Sequence, residues 1–160
     1  MIKKNLNISF VVILDNIRST YNVGAIFRTA DAIGVSKIYL VGITPAPPNP
    51  KINKTALGAE NFVVYEKVSQ IRRLIKKLKE AGYQIMALEQ SQNSLNLFQL
   101  QKLFSKKIAL ILGPEVDGLS KRILNQVDSC VEIPMFGHKE SLNVSVAFGI
   151  AGYYLKNLLY

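Results

Sequence analysis

Three stretches of this 160-residue chain hold residue types whose spacing could do chemistry. Gly113-Pro114-Glu115-Val116-Asp117-Gly118-Leu119-Ser120 has the glycine spacing of a loop that cradles phosphates. Leu119 stands where the phosphate-pairing lysine belongs, and Glu115 and Asp117 would repel a polyphosphate. Such a loop instead suits a neutral or cationic ligand, or holds an arginine by a charge-assisted bond; it is also an ordinary glycine-flanked turn. The arginine to consider is Arg28, set among the small residues Gly24, Ala25, Thr29 and Ala30, where it either snorkels to solvent or meets a carboxylate. Asn22 and Gly24, just upstream, suggest close approach to a neighbour. In the third stretch, Ser141-Leu142-Asn143-Val144-Ser145, Ser141 is the candidate N-cap of a helix that follows a strand and a polar loop. Free backbone groups there can hold the polar edge of a ligand, although a capped helix after a strand is also common scaffolding.

These stretches need positioning by elements, and the apolar patterning supplies them. Ser9 to Leu14, Lys37 to Val41, Tyr83 to Leu88, Lys107 to Leu112 and Cys130 to Ile133 read as strands, and so does Asn61 to Tyr65. Continuous apolar runs such as Phe10 to Leu14 are expected where a parallel sheet is covered on both faces. Asp15 to Tyr21 reads as a polar connector. Helices are expected from Asn22 to Ala32 with Gly34 as the stop, from Ser69 to Ala81 ended by Gly82, from Leu119 to Gln126, and from Ser141 to Tyr160. Asn96 to Leu103 is weakly helical. Pro45, Pro47, Pro48 and Pro50 mark Thr44 to Asn53 as a stiff, extended, exposed loop, with Lys51 and Lys54 as substrate contacts. Alternating strands and helices predict an α/β fold with a mainly parallel sheet flanked by helices. The last helix is apolar nearly all round, so a second copy of the chain is the simplest cover for the face that the sheet leaves open.

Bulk properties bound the function. Lys and Arg number 20 against 11 Asp and Glu, giving a net charge of +9 that favours polyanions such as RNA or DNA. The cluster Arg72, Arg73, Lys76, Lys77 and Lys79 fits that role or a merely solvated helix face. One cysteine, Cys130, rules out an intrachain disulfide, and with the single histidine, His138, it makes no recognisable zinc site, so no metal is expected. No apolar run reaches the roughly 18 residues that span a bilayer. The basic start, Met1 to Asn5, precedes an apolar run too short for a signal peptide, which makes a cytoplasmic location and no membrane partner the expectation. The length is that of one domain, 1–160.

Taken together, Asn22-Val23-Gly24-Ala25-Ile26-Phe27-Arg28-Thr29-Ala30-Asp31-Ala32-Ile33-Gly34, then Leu112 to Ser120, then Ile133-Pro134-Met135 with Ser141 to Ser145, resemble in order the three motifs of SpoU-type (TrmH-like) RNA 2′-O-ribose methyltransferases of the SPOUT superfamily. The match spans almost the whole chain. It implies an α/β domain with a C-terminal trefoil knot, an exception to the usual absence of knots, and a homodimer that binds S-adenosylmethionine at the knot. By position, the resemblance makes Leu88, Gly113, Ile133, Met135, Ser141 and Leu142 cofactor-binding residues. It makes Arg28 the catalytic arginine, with Asn22, Glu115, Ser141 and Asn143 around it. The implied reaction is methyl transfer to a ribose 2′-hydroxyl of tRNA or rRNA. A free guanidinium has a pKa above about 12, so charge stabilisation suits Arg28 better than proton removal. Some members carry an extra RNA-binding domain; 1–160 reads as a single SPOUT methyltransferase domain without one. Two rival readings are a non-catalytic basic RNA-binding module and a nucleotide-binding enzyme that uses the Gly113 loop.

Overall fold

A computed structural model describes residues 7–160; the basic start from Met1 to Asn5 lies outside them. In chain order the elements are β1 (Ser9–Asp15), α1 (Thr20–Ile33), β2 (Lys37–Val41), α2 (Pro50–Ala56), β3 (Tyr65–Val68), α3 (Ile71–Glu80), β4 (Gln84–Leu88), β5 (Leu95–Asn96), β6 (Lys107–Leu112), α4 (Lys121–Leu124), β7 (Ser129–Glu132) and α5 (Val144–Leu158). The seven strands form one sheet in the order β3-β2-β1-β6-β4-β7-β5, and every pairing is parallel.

Alternation along the strands divides the core. Phe10, Val12 and Leu14 of β1 face the layer of α1, α2 and α5, while Val11 and Ile13 face α3 and α4. Ile108, Leu110 and Leu112 of β6 repeat the first pattern, and Ala109 and Ile111 the second. Because both faces are covered, the central strands are apolar at every position, which is why they stand out in the sequence.

The edges differ from the patterning. The third strand is Tyr65–Val68 rather than Asn61 to Tyr65: its first three residues are exposed, so an edge strand held by pairing to β2 carries no apolar run. Within the proline-rich segment the chain forms α2 instead of an extended loop. Asn49 caps it by accepting from the Lys51 N–H, and Pro50 sits in the first turn, where no N–H is needed. The weakly helical stretch from Asn96 to Leu103 is the two-residue β5 followed by a single 3-10 turn at Leu97–Gln99. The last helix starts later than Ser141: Asn143 is its cap.

Helix α2 buttresses α1. Gly24 packs on it so closely that a Cβ would lie 2.3 Å from the Ile52 carbonyl oxygen, and Thr55 Oγ1 donates to the Tyr21 carbonyl at 2.8 Å. Upstream, the Ile17 N–H donates to the buried Thr44 hydroxyl at 3.1 Å, and that hydroxyl donates to Leu14 O at 2.9 Å. The loop between β1 and α1 is thereby fixed, and with it the first turn of α1. Among the described residues, no helix is long and apolar enough to cross a membrane.

Candidate active site

The loops after β4, β6 and β7 all leave the carboxyl ends of adjacent parallel strands, which is where open α/β sheets bind ligands. They enclose a cavity of about 560 Å³, within the range of small-molecule sites. Leu88, Leu112, Ile133, Leu142 and Val144 give it apolar walls. Gly113 forms part of the floor, and no larger residue fits there, since a Cβ would stand 2.7 Å from Leu119 Cγ. Leu119, at the position where a phosphate-binding loop has its lysine, is buried beneath that floor.

The charge of the lining is opposite to that of the chain. Glu89, Glu115, Asp117, Glu132 and Glu140 contribute five of the 11 acidic residues, and among the described residues no Lys or Arg lines the cavity. A polyphosphate is disfavoured there and a cation favoured.

Asn143 organises the entrance. Its Oδ1 accepts from the Ser145 N–H at 2.9 Å, the Val146 N–H at 3.4 Å and Ser145 Oγ at 2.6 Å, which caps α5. With that oxygen occupied, the amide nitrogen must point outward, and it donates to Asn22 Oδ1 at 3.1 Å. Asn22 Nδ2 in turn donates to Glu115 Oε1 at 3.2 Å. One directional chain thus joins α5, α1 and the glycine loop. Asn22 is itself held, since its N–H donates to Ser19, the cap of α1.

Of the residues expected to bind cofactor, Leu88, Gly113, Ile133, Met135, Ser141 and Leu142 all line the cavity. Among the expected catalytic residues, Glu115, Ser141 and Asn143 line it too, and Asn22 joins them through its hydrogen bonds. Arg28 stands apart in the single chain. It is exposed on the face of α1 that carries Tyr21 and Ala32, while Asn22 faces α5. Ser141 lines the cavity without capping the helix.

Two polar residues escaped the sequence reading. Glu89 Oε2 accepts from the Leu119 N–H at 2.9 Å, and Gln90 Nε2 donates to Glu140 O at 2.8 Å, so the turn after β4 ties down both loops that close the cavity. Their proximity to Leu88 was the only available signal. Nearby, burial pushes the Cys130 thiol above its ordinary pKa; it donates to Glu89 O at 3.3 Å.

Residues 9–153 match the SpoU rRNA Methylase family. The chain belongs to that family. A tRNA (guanosine(18)-2′-O)-methyltransferase from Aquifex aeolicus is 36% identical over 144 residues, covering 89% of this chain and 66% of the relative. An AdoMet-bound rRNA methyltransferase from Sinorhizobium meliloti superposes with a TM-score of 0.88 at 27% identity, covering 96% of this chain and 58% of that one. A structure described for the 2-OH methylation of C/U34 on tRNA gives 0.82 at 25% identity, with 94% of this chain and 96% of that one covered. This SpoU family chain spans between 55% and 67% of the length of several curated relatives.

Proposed function

We propose that this SpoU family member transfers a methyl group from S-adenosylmethionine to a ribose 2′-hydroxyl of tRNA or rRNA. The observation that carries the reading is the cavity at the ends of β4, β6 and β7, whose walls come from the second and third family motifs and whose entrance bonds to Asn22 of the first. Its residues fit the cofactor. The apolar walls suit an adenine, and five carboxylates suit a sulfonium. Leu88, Gly113, Ile133, Met135, Ser141 and Leu142 would hold it. When bound, S-adenosylmethionine supplies an electrophilic methyl group.

The chain's own residues have the remaining work: to align the attacking hydroxyl and stabilise the charge that develops on it. Asn22, Glu115, Ser141 and Asn143 are placed for the first task. Arg28 serves the second, acting from a second copy of the chain; its exposure on α1 supports this. Leu142, just before α5, and Val146, Ile150 and Tyr153 on it form an exposed apolar row that begins at the cavity. Pairing two copies over this row covers it, and it brings the exposed face of one α1, with Arg28, towards the partner's cavity. The reading includes a C-terminal trefoil knot. In support, the 89–106 connection holds the C-terminal segment at both ends: Gln90 donates to Glu140 O, and Tyr154 OH on α5 donates to Leu100 O at 2.7 Å. The cytoplasm, where tRNA and rRNA are found, is the proposed setting.

Purified protein with total tRNA and rRNA, S-adenosylmethionine and mass spectrometry of ribose methylation tests the reading. Arg28→Ala should still bind S-adenosylmethionine in calorimetry and lose methyl transfer; an active Arg28→Ala protein removes the role. Failure of the wild type to bind S-adenosylmethionine would favour a non-catalytic RNA-binding module.

A further inference from the structure

Glu89 follows the last residue of β4 and lines the cavity between the two loops that close it. Its carboxylate lies along the wall, with Oε2 accepting the Leu119 N–H at 2.9 Å and Oε1 the Gln90 N–H at 3.1 Å. The fit is tight, for a Cβ at Gly118 would lie 2.7 Å from Oε2. Each carboxylate oxygen accepts about two hydrogen bonds, so both keep an acceptor site that takes no donor among the described residues.

The other lining carboxylates are placed differently. Glu115, Asp117 and Glu140 are exposed at the rim, and Glu115 already accepts from Asn22 Nδ2. Glu132 is half-buried, but it receives the Ser94 hydroxyl. Among these five carboxylates, Glu89 is the one whose two oxygens are each held by a backbone N–H, which fixes a half-buried carboxylate against the wall with an acceptor site spare on both oxygens. A carboxylate only accepts, so its complement in a ligand must be a donor, and two neighbouring oxygens are best met by two neighbouring donors. In a nucleoside, the vicinal 2′- and 3′-hydroxyls of the ribose are that pair. An exocyclic amine offers both of its hydrogens from a single nitrogen.

We propose that the Glu89 carboxylate receives the two ribose hydroxyls of the nucleoside held in the cavity, and so selects ribose over a deoxygenated sugar. The assignment rests on reading the cavity as the S-adenosylmethionine site. It goes further by naming the residue that recognises the sugar.

Since Glu89 also holds Leu119, loss of its charge could loosen the loop without any contact to ligand, and the experiment must separate the two effects. Calorimetric titration of the whole chain with 5′-methylthioadenosine and with its 2′,3′-dideoxy analogue does so. Glu89→Gln should weaken 5′-methylthioadenosine about tenfold, the loss of a hydrogen bond to a charged group, and should bind the dideoxy analogue as the wild type does. Equal weakening of both ligands, or no change in either, overturns the proposal. Glu89→Asp, which keeps the charge with a shorter reach, is read by the same comparison if Glu89→Gln does not fold. Wild-type protein that binds neither nucleoside nor S-adenosylmethionine refutes the cavity assignment itself; wild-type binding with no ligand-dependent loss in the variants refutes only the role of Glu89.

Discussion

Asn143 donates its side-chain N–H to Asn22 Oδ1 at 3.1 Å, joining the starts of two helices whose residues lie 121 positions apart. The same amide caps α5 with its oxygen, so one side chain both caps a helix and ties it to another. Substitution separates the two effects. Asn143→Ala removes both and should cost about 0.5–2 kcal/mol of stability through the lost cap. Asn143→Asp keeps an acceptor for the Ser145 N–H but cannot donate to Asn22, so it should retain most of the stability and lose most of the methyl transfer. Thermal unfolding and a methylation assay on the two variants check this; equal destabilisation would show that the cap is not the stabilising contact.

The apolar row on α5 gives a second expectation. Val146 and Tyr153 are 50% and 56% exposed in the single chain, which leaves enough accessible surface for a partner to cover. Light scattering should find the wild type as a dimer and a Val146→Glu, Tyr153→Glu double variant as a monomer, because a buried unpaired carboxylate costs several kcal/mol. A monomeric wild type would sink the pairing.

Asp15 gives a pH dependence. It is 5% exposed at the end of β1, and burial raises its pKa above the ordinary 3.8. The folded state therefore holds this proton more tightly than the unfolded state. The associated stability is fully present below the unfolded value and is lost as pH rises through the folded one. Asp15→Asn, which still offers an oxygen to Asn16 Nδ2, should raise the melting temperature at neutral pH, and the gain should vanish below about pH 3.8. A gain of equal size in acid would point to a cause other than charge.

Much of this architecture is legible in the residues because burial writes itself as pattern. Phe10 to Leu14 and Ile108 to Leu112 are apolar throughout since helices cover both faces of the sheet. Three kinds of feature resist such reading. Edge strands like Tyr65–Val68 are specified by a neighbour's hydrogen bonds rather than by their own apolar content. Short helices like Pro50–Ala56 show no periodicity, and their prolines look like breakers until the first-turn position is known. Ser141 and Asn143 are both good caps, and only the backbone conformation decides between them. For the site, Gly113, Ile133 and Leu142 were found because they sit in family motifs. Glu89 and Gln90 were not, because their roles depend on loops brought to them from 30 and 50 residues away.

The strand order also governs when the molecule can take shape during synthesis. Strand β2 pairs with β1 on one side and β3 on the other, so these three can assemble as soon as they emerge, whereas β4 lies between β6 and β7 and has no partner until β6 has been made. The β1 to β6 register, with Val11 opposite Ala109, spans most of the chain, and such distant pairings are slow to form. A nascent chain halted before Lys107 therefore exposes the apolar edge of β1 that β6 later covers, and it has no cavity at all. The cavity cannot close until the segment from Glu140 to Ala147 has followed β7.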